Sequence, residues 1–206
     1  GQVRTEDELY RITHEGDEVC SATTAVITEG IRYERAGAPA PGIPEPPPPE
    51  PPGDWGELLT SMMVSPALAS RAAIYRHYDP EVQGRAMIRP GEADASVLIP
   101  VEGRPVGLAV SVDGNPFLGE LDPYQGGAAA VMEAMQNVVA VGAKPWCLTD
   151  CLNYGSPEDP EVFRQFEEGV RGLGDAAREI GMLGEAGVPV PVVSGNVSFY
   201  NQSAQG

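Results

Sequence analysis

Asp94, Asp113, Glu133, Asn137, Asp150 and Asn196 are the side chains of this chain best suited to chemistry. They are carboxylates and amides without His or Cys partners, and hard oxygen donors of that kind suit Mg²⁺ better than zinc. Glu133 and Asn137 stand four positions apart, so a helix puts them on one face. A merely solvated face uses the same residue types. Asp94 and Asp113 border two apolar runs, 95–101 and 106–112, that read as paired strands. Two carboxylates then lie near sheet edges, where a metal can be shared, although plain turns are also built from Arg89–Asp94 and Asp113–Pro116. Asp150 is expected where a strand, Trp146–Thr149, ends.

The stretch 192–202 is the other concentration of chemistry. Pro191-Val192-Val193 reads as a short buried strand, and Ser194, Gly195, Asn196 and Ser198 follow at its C-terminal end. Open α/β sheets bind ligands there. Gly195 lets the backbone approach a phosphate closely, and Asn196 offers a neutral oxygen to a hard cation. A polar strand-to-loop turn has the same composition. Gly126-Gly127, ahead of a helix over 128–141, is a weak version of a helix-terminus anion site. There is no Walker loop and no Ser-His-Asp or Cys-His arrangement. With only two His residues, imidazole catalysis has little material; His14 reads as a surface residue and His77 as ordinary packing.

The elements that must position these groups follow from pattern. Residues 8–14 and 19–25 alternate as a hairpin around Glu15–Glu18. Ala36–Gly53 is so rich in Pro that it reads as a semi-rigid spacer and a domain boundary. Asp54 caps a helical segment running to Tyr78, divided by Pro66, with Leu58, Leu59, Met62 and Met63 as its core stripe. A second long helix, Glu161–Ile180, carries Val162, Phe163, Phe166, Val170, Leu173 and Ala177 on its apolar face. Gly181–Val190 is a loop before the last strand.

Composition bounds the rest. The chain has 206 residues and a formal net charge of −17, which excludes nucleic acid and anionic membrane as partners. Mg²⁺ can still bridge its carboxylates to a nucleotide's phosphates. Three cysteines, Cys20, Cys147 and Cys151, have no zinc-site spacing and read as reduced cytoplasmic thiols. No signal peptide and no apolar run of about 20 residues is present.

Several runs together resemble one family. These are Ser65-Pro66, Tyr75–Asp79, Val112–Pro116, Asp122-Pro123-Tyr124, Asn137-Val138-Val139, Thr149–Gly155 and Ser194–Ser198. They resemble the second PurM-like N-terminal domain of the synthetase subunit of phosphoribosylformylglycinamidine synthases, over residues 54–203. The resemblance implies an ATP-dependent carbon–nitrogen ligase of purine biosynthesis. It joins ammonia, delivered from glutamine, to formylglycinamide ribonucleotide. It further implies ATP contacts at Asp150 and Gly195, a Mg²⁺ ligand at Asn196 and a substrate contact at Ser198. Longer relatives imply a nucleotide contact at Ala93 and Mg²⁺ ligands at Asp94, Glu133 and Asn137, in a second, non-catalytic site.

The implied fold is α/β (mixed α+β), with a sheet of about four strands covered on one face by two long helices. The implied organisation is a tail of a preceding domain (1–35), a linker (36–53) and the PurM-like domain (54–206). Such domains pair with one another, and the family works with a glutaminase subunit and a small bridging subunit. The family's catalytic His residues and its last domain have no counterpart here, so the chain is expected to be a fragment without catalytic residues of its own. The alternatives are a non-catalytic nucleotide-binding or domain-pairing scaffold, and another PurM-like ATP-dependent enzyme.

Overall fold

The computed structural model describes residues 9–42, 47–48, 50–51 and 53–203, so Glu8 and parts of the Pro-rich spacer lie outside the described residues. The chain divides into two units, Gly1–Ala36 and Gly37–Gly206. The first holds β1 (Leu9–His14) and β2 (Asp17–Thr23), an antiparallel hairpin, followed by α1 (Thr24–Glu29). Its turn is tighter than Glu15–Glu18. Glu15 and Gly16, at φ 53° and 95°, make a two-residue connection of the kind that matches strand twist. Leu9, Tyr10, Ile12 and Val19 are all exposed in this hairpin.

The second unit is organised by two long helices, α5 (Pro123–Ala140) and α6 (Pro160–Ile180), preceded by the short α2 (Trp55–Met63), α3 (Ala72–Tyr75) and α4 (Pro116–Leu121). Both begin with Pro at the first turn behind an aspartate. Asp122 Oδ1 accepts from Gln125 N at 3.1 Å, and Asp159 Oδ1 accepts from Glu161 N at 2.8 Å. Gly126 and Gly127 therefore lie inside α5 and do not precede it, which removes the anion-site reading. Their role is close approach. A Cβ on Gly127 would collide with the Gly169 carbonyl, and one on Gly172 with the Tyr124 carbonyl. Val131, Met135 and Val190 form the core, with Leu148, Leu173, Ala176 and Met182 packed around them. Burying a valine of this kind stabilises by about 1.5–3 kcal/mol.

The strands fall into two hydrogen-bonded sets. β3 (Ala86–Ile88), β4 (Ser96–Leu98) and β5 (Leu108–Val110) form an antiparallel sheet, and β6 (Leu148–Asn153) pairs in parallel with β7 (Val192–Ser198). β4 and β5 are shorter than the runs 95–101 and 106–112. Pro100 and Pro105 remove ladder donors, and Ser111 leaves the ladder to donate to the Ala134 carbonyl at 3.0 Å. β6 and β7 are longer than expected, so Asp150 and residues 194–198 lie within strands and not beyond their ends.

The 54–78 segment also differs. Asp54 caps α2 (Trp55–Met63) through Gly56 N and Glu57 N. After it come only a 3₁₀ turn at Pro66–Leu68 and the four-residue α3 (Ala72–Tyr75). Leu58, Leu59, Met62 and Met63 are exposed, so they do not form a core stripe. A helix this short gains stability from a packed apolar face, and that face is bare. Asn115, expected in a plain turn, caps the short α4 (Pro116–Leu121). Val170 of the expected α6 stripe is exposed, whereas Ala177 is buried. The spacer is not free at its start: Ala38 N donates to the Pro160 carbonyl at 2.9 Å. Gly37 lies against the buried Arg164, whose guanidinium holds the Glu161 carboxyl below its ordinary range by hydrogen bonding.

Candidate functional site

The two runs richest in candidate chemistry are neighbouring strands. In the β6–β7 register Asp150 faces Gly195, Cys151 faces Asn196 and Asn153 faces Ser198. Side chains alternate between the faces of a strand, so the candidates separate into two groups. Asp150 shares the half-buried face with Leu148 and Leu152, and its carboxylate occupies the space a Cβ on Gly195 would need. Gly195 is thus required by a close approach of side chain to backbone. On the opposite, exposed face Asn196 and Ser198 are joined, Nδ2 donating to Oγ at 3.5 Å. That face also carries Thr149, Cys151, Asn153 and Ser194, a ladder of small polar groups open to a ligand.

Both strands are held at their C-terminal ends. Tyr154 N donates to the Ser198 carbonyl at 2.9 Å, Tyr200 N to the Gly155 carbonyl at 2.9 Å and Asn201 N to the Tyr154 carbonyl at 3.0 Å. Gln202 Oε1 accepts from Ser156 N at 3.0 Å and fills the space beside Gly155. Tyr154, Phe163 and Phe199 surround Phe166, at centroid distances of 5.5, 6.1 and 5.2 Å. Burial raises the Tyr154 hydroxyl above its ordinary range, which keeps it neutral. Gln202, Tyr154 and Phe199 were not legible as site supports, because the partners of Gln202 and Phe199 are more than 30 positions away in sequence and that of Tyr154 is on another element.

The remaining candidates gather around β5 and α5. Ala93 and Asp94 line a groove of about 490 Å³ whose wall includes Ser111 and Val112. The next residue, Asp113, accepts a hydrogen bond from Asn137 Nδ2 at 2.7 Å. Glu133 lies one turn earlier on α5 and is exposed. Asp113 Oδ2 is buried and has no hydrogen-bond partner among the described residues. The orphaned Asp113 oxygen marks a polar site, and Asp94, Glu133 and Asn137 carry the hard oxygens that a cation such as Mg²⁺ accepts. Among the described residues no three His, Cys, Asp or Glu side chains gather, so a cation held here must also take amide, water or phosphate oxygens. Asn196 belongs to the separate β6–β7 group.

Residues 92–206 match the family described as AIR synthase related protein, N-terminal domain. Over all 206 residues the chain is 52% identical to the phosphoribosylformylglycinamidine synthase subunit PurL of Methanothrix thermoacetophila, and it spans 27% of that relative's length. Among solved structures it resembles T. maritima PurL complexed with ADP, with a TM-score of 0.61, 26% identity, and coverage of 96% of this chain and 29% of that one. PurLQS from Thermotoga maritima has the same fold, with a TM-score of 0.64 at 24% identity, covering 96% of this chain and 29% of that one. With full coverage at this identity, and with the motif pair Thr149–Gly155 and Ser194–Ser198 aligned as neighbouring strands, the chain belongs to the family of phosphoribosylformylglycinamidine synthase PurL subunits.

Proposed function

We propose that this chain is part of the ATP-dependent ligase that converts formylglycinamide ribonucleotide, ATP and glutamine-derived ammonia to formylglycinamidine ribonucleotide in purine biosynthesis. The observation that carries the reading is the in-register pairing of Asp150 with Gly195, which leaves Asn196 and Ser198 together on the open face. In this reading Asp150, Gly195 and Ala93 contact nucleotide, and Ser198 contacts the ribonucleotide substrate. Asn196 would hold Mg²⁺, and Asp94, Glu133 and Asn137 would hold Mg²⁺ at a second nucleotide site. When bound, the ion neutralises phosphate charge. The chain's own residues contribute position: Asp150 holds the bare backbone at Gly195, and the polar ladder orients what lies on it.

Residues 1–35 then belong to a preceding PurM-like domain, 36–53 to a linker and 54–206 to a PurM-like domain that pairs with another. In this reading the whole protein assembles with a glutaminase subunit and a small bridging subunit. The cytoplasm is the proposed location; among the described residues no helix is long and apolar enough to cross a membrane. A second reading, a domain-pairing scaffold that binds nucleotide without turnover, is favoured by the exposure of large apolar residues such as Val112, at 92%.

Calorimetric titration with ADP, with and without Mg²⁺, tests the site. Magnesium-dependent binding that Asn196→Ala weakens at least tenfold supports the assignment. Binding that survives Asn196→Ala and Asp150→Asn unchanged would remove both residues from the site. Normal amination by the full-length protein carrying Asp150→Asn and Asn196→Ala would leave only the scaffold reading.

A further inference from the structure

Asp113 follows the short strand β5, whose end is tied to α5 by the Ser111 hydroxyl donating to the Ala134 carbonyl at 3.0 Å. That tie brings the Asp113 carboxylate to Asn137, 24 positions along the chain, at 2.7 Å. An ionised carboxylate only accepts hydrogen bonds, whereas an amide has one donating and one accepting end. The pairing therefore has a single polarity: Nδ2 of Asn137 is committed to Asp113, and Oδ1 is left as its free acceptor. Asp113 Oδ2 is meanwhile buried with no hydrogen-bond partner among the described residues. A buried acceptor left unpaired is destabilising, which makes Asp113 an expensive way to hold a helix to a strand.

We propose that Asp113 is a positioning residue: it fixes the Asn137 amide so that Oδ1, and not Nδ2, is presented to the Mg²⁺ assigned above to Asp94, Glu133 and Asn137. This inference rests on that assignment. Carboxylates that orient first ligands in this way typically tune metal affinity 10–100-fold.

The test is Mn²⁺ affinity of the full chain, read by electron paramagnetic resonance without nucleotide. Asn137→Ala is expected to weaken binding at least tenfold, and Asp113→Asn about tenfold, because an amide at 113 no longer dictates which end of Asn137 faces the ion. If Asp113 acts through Asn137, the double variant binds no more weakly than Asn137→Ala alone. A purely structural role predicts the opposite, additive losses. Unchanged affinity in Asp113→Asn, with Asn137→Ala weakened, overturns the positioning role and leaves the metal assignment standing. Unchanged affinity in both overturns the assignment and the positioning role together. A double variant weaker than Asn137→Ala overturns it too, with Asp113 then acting otherwise than through Asn137. Should Asp113→Asn fail to fold, the unsubstituted chain carries the test by nuclear magnetic resonance. Asn137 side-chain NH₂ protons, assigned by their loss in Asn137→Ala, should stay protected from exchange while the ¹³Cγ signal shifts on adding Mg²⁺. Rapidly exchanging NH₂ protons with and without the ion would overturn the proposal.

Discussion

At the scale of single residues, Gly195 carries the most information. Its φ is not in the left-handed region, so conformational freedom is not what requires glycine there. Space is: the Asp150 carboxylate lies where a Cβ would be. Gly195→Ala must displace Asp150 or pry β7 from β6. The expected cost is about 1–3 kcal/mol, the usual range for overpacking, measurable by urea unfolding. Nucleotide affinity should fall with it if Asp150 is part of that site, whereas a stability loss with unchanged ADP binding would confine Asp150 to packing. Sequence reading singled out both residues but not the contact, since nothing in their spacing of 45 positions reveals a cross-strand neighbour.

At the scale of elements, the α5–α6 pair is the frame on which both candidate groups hang. α5 bears Glu133 and Asn137, and α6 anchors the ends of β6 and β7 through Phe166, against Tyr154 and Phe199. Their approach depends on Gly127 and Gly172, where a Cβ would meet the other helix's backbone, while one on Gly169 would meet the Tyr154 hydroxyl. Gly172→Ala puts a methyl group against the Tyr124 carbonyl, with rigid backbone on both sides. A loss of about 3 kcal/mol is expected, read as a lower urea midpoint with unchanged slope. A neutral effect would mean the helices can separate without penalty. The helices themselves were legible from period, although the first was expected to begin at 128 and begins at Pro123. The function of their glycines was not, because an inter-helix glycine and a helix-ending glycine look alike until the partner helix is in place.

At the scale of the molecule, the second unit leaves large apolar side chains uncovered. Phe117 and Trp146 are 76% and 73% exposed, in a unit whose three-stranded sheet has β3 and β5 as unpaired edges among the described residues. Uncovered apolar surface and unpaired edges favour association. Sedimentation velocity should show concentration-dependent self-association, reduced by Phe117→Ser with Trp146→Ser. Stability should change by no more than about 0.5 kcal/mol for each such surface exchange. A monomer at every concentration would show that the chain tolerates this surface in water.

The sequence by itself determined the family, the two long helices and the Asp54 cap, and it named the candidate ligands. Caps, periods and contiguous motifs are local, and local patterns need no partner to be read. Only the tertiary structure decided that Asp150 and Gly195 share one face while Asn196 and Ser198 share the other. It also made Asp113 the partner of Asn137, moved Gly126 and Gly127 inside a helix, and left the Leu58–Met63 stripe exposed. Each of those depends on register, strand length or the presence of a covering layer. These are set by pairing and packing between segments far apart in the chain, where residue type alone is degenerate.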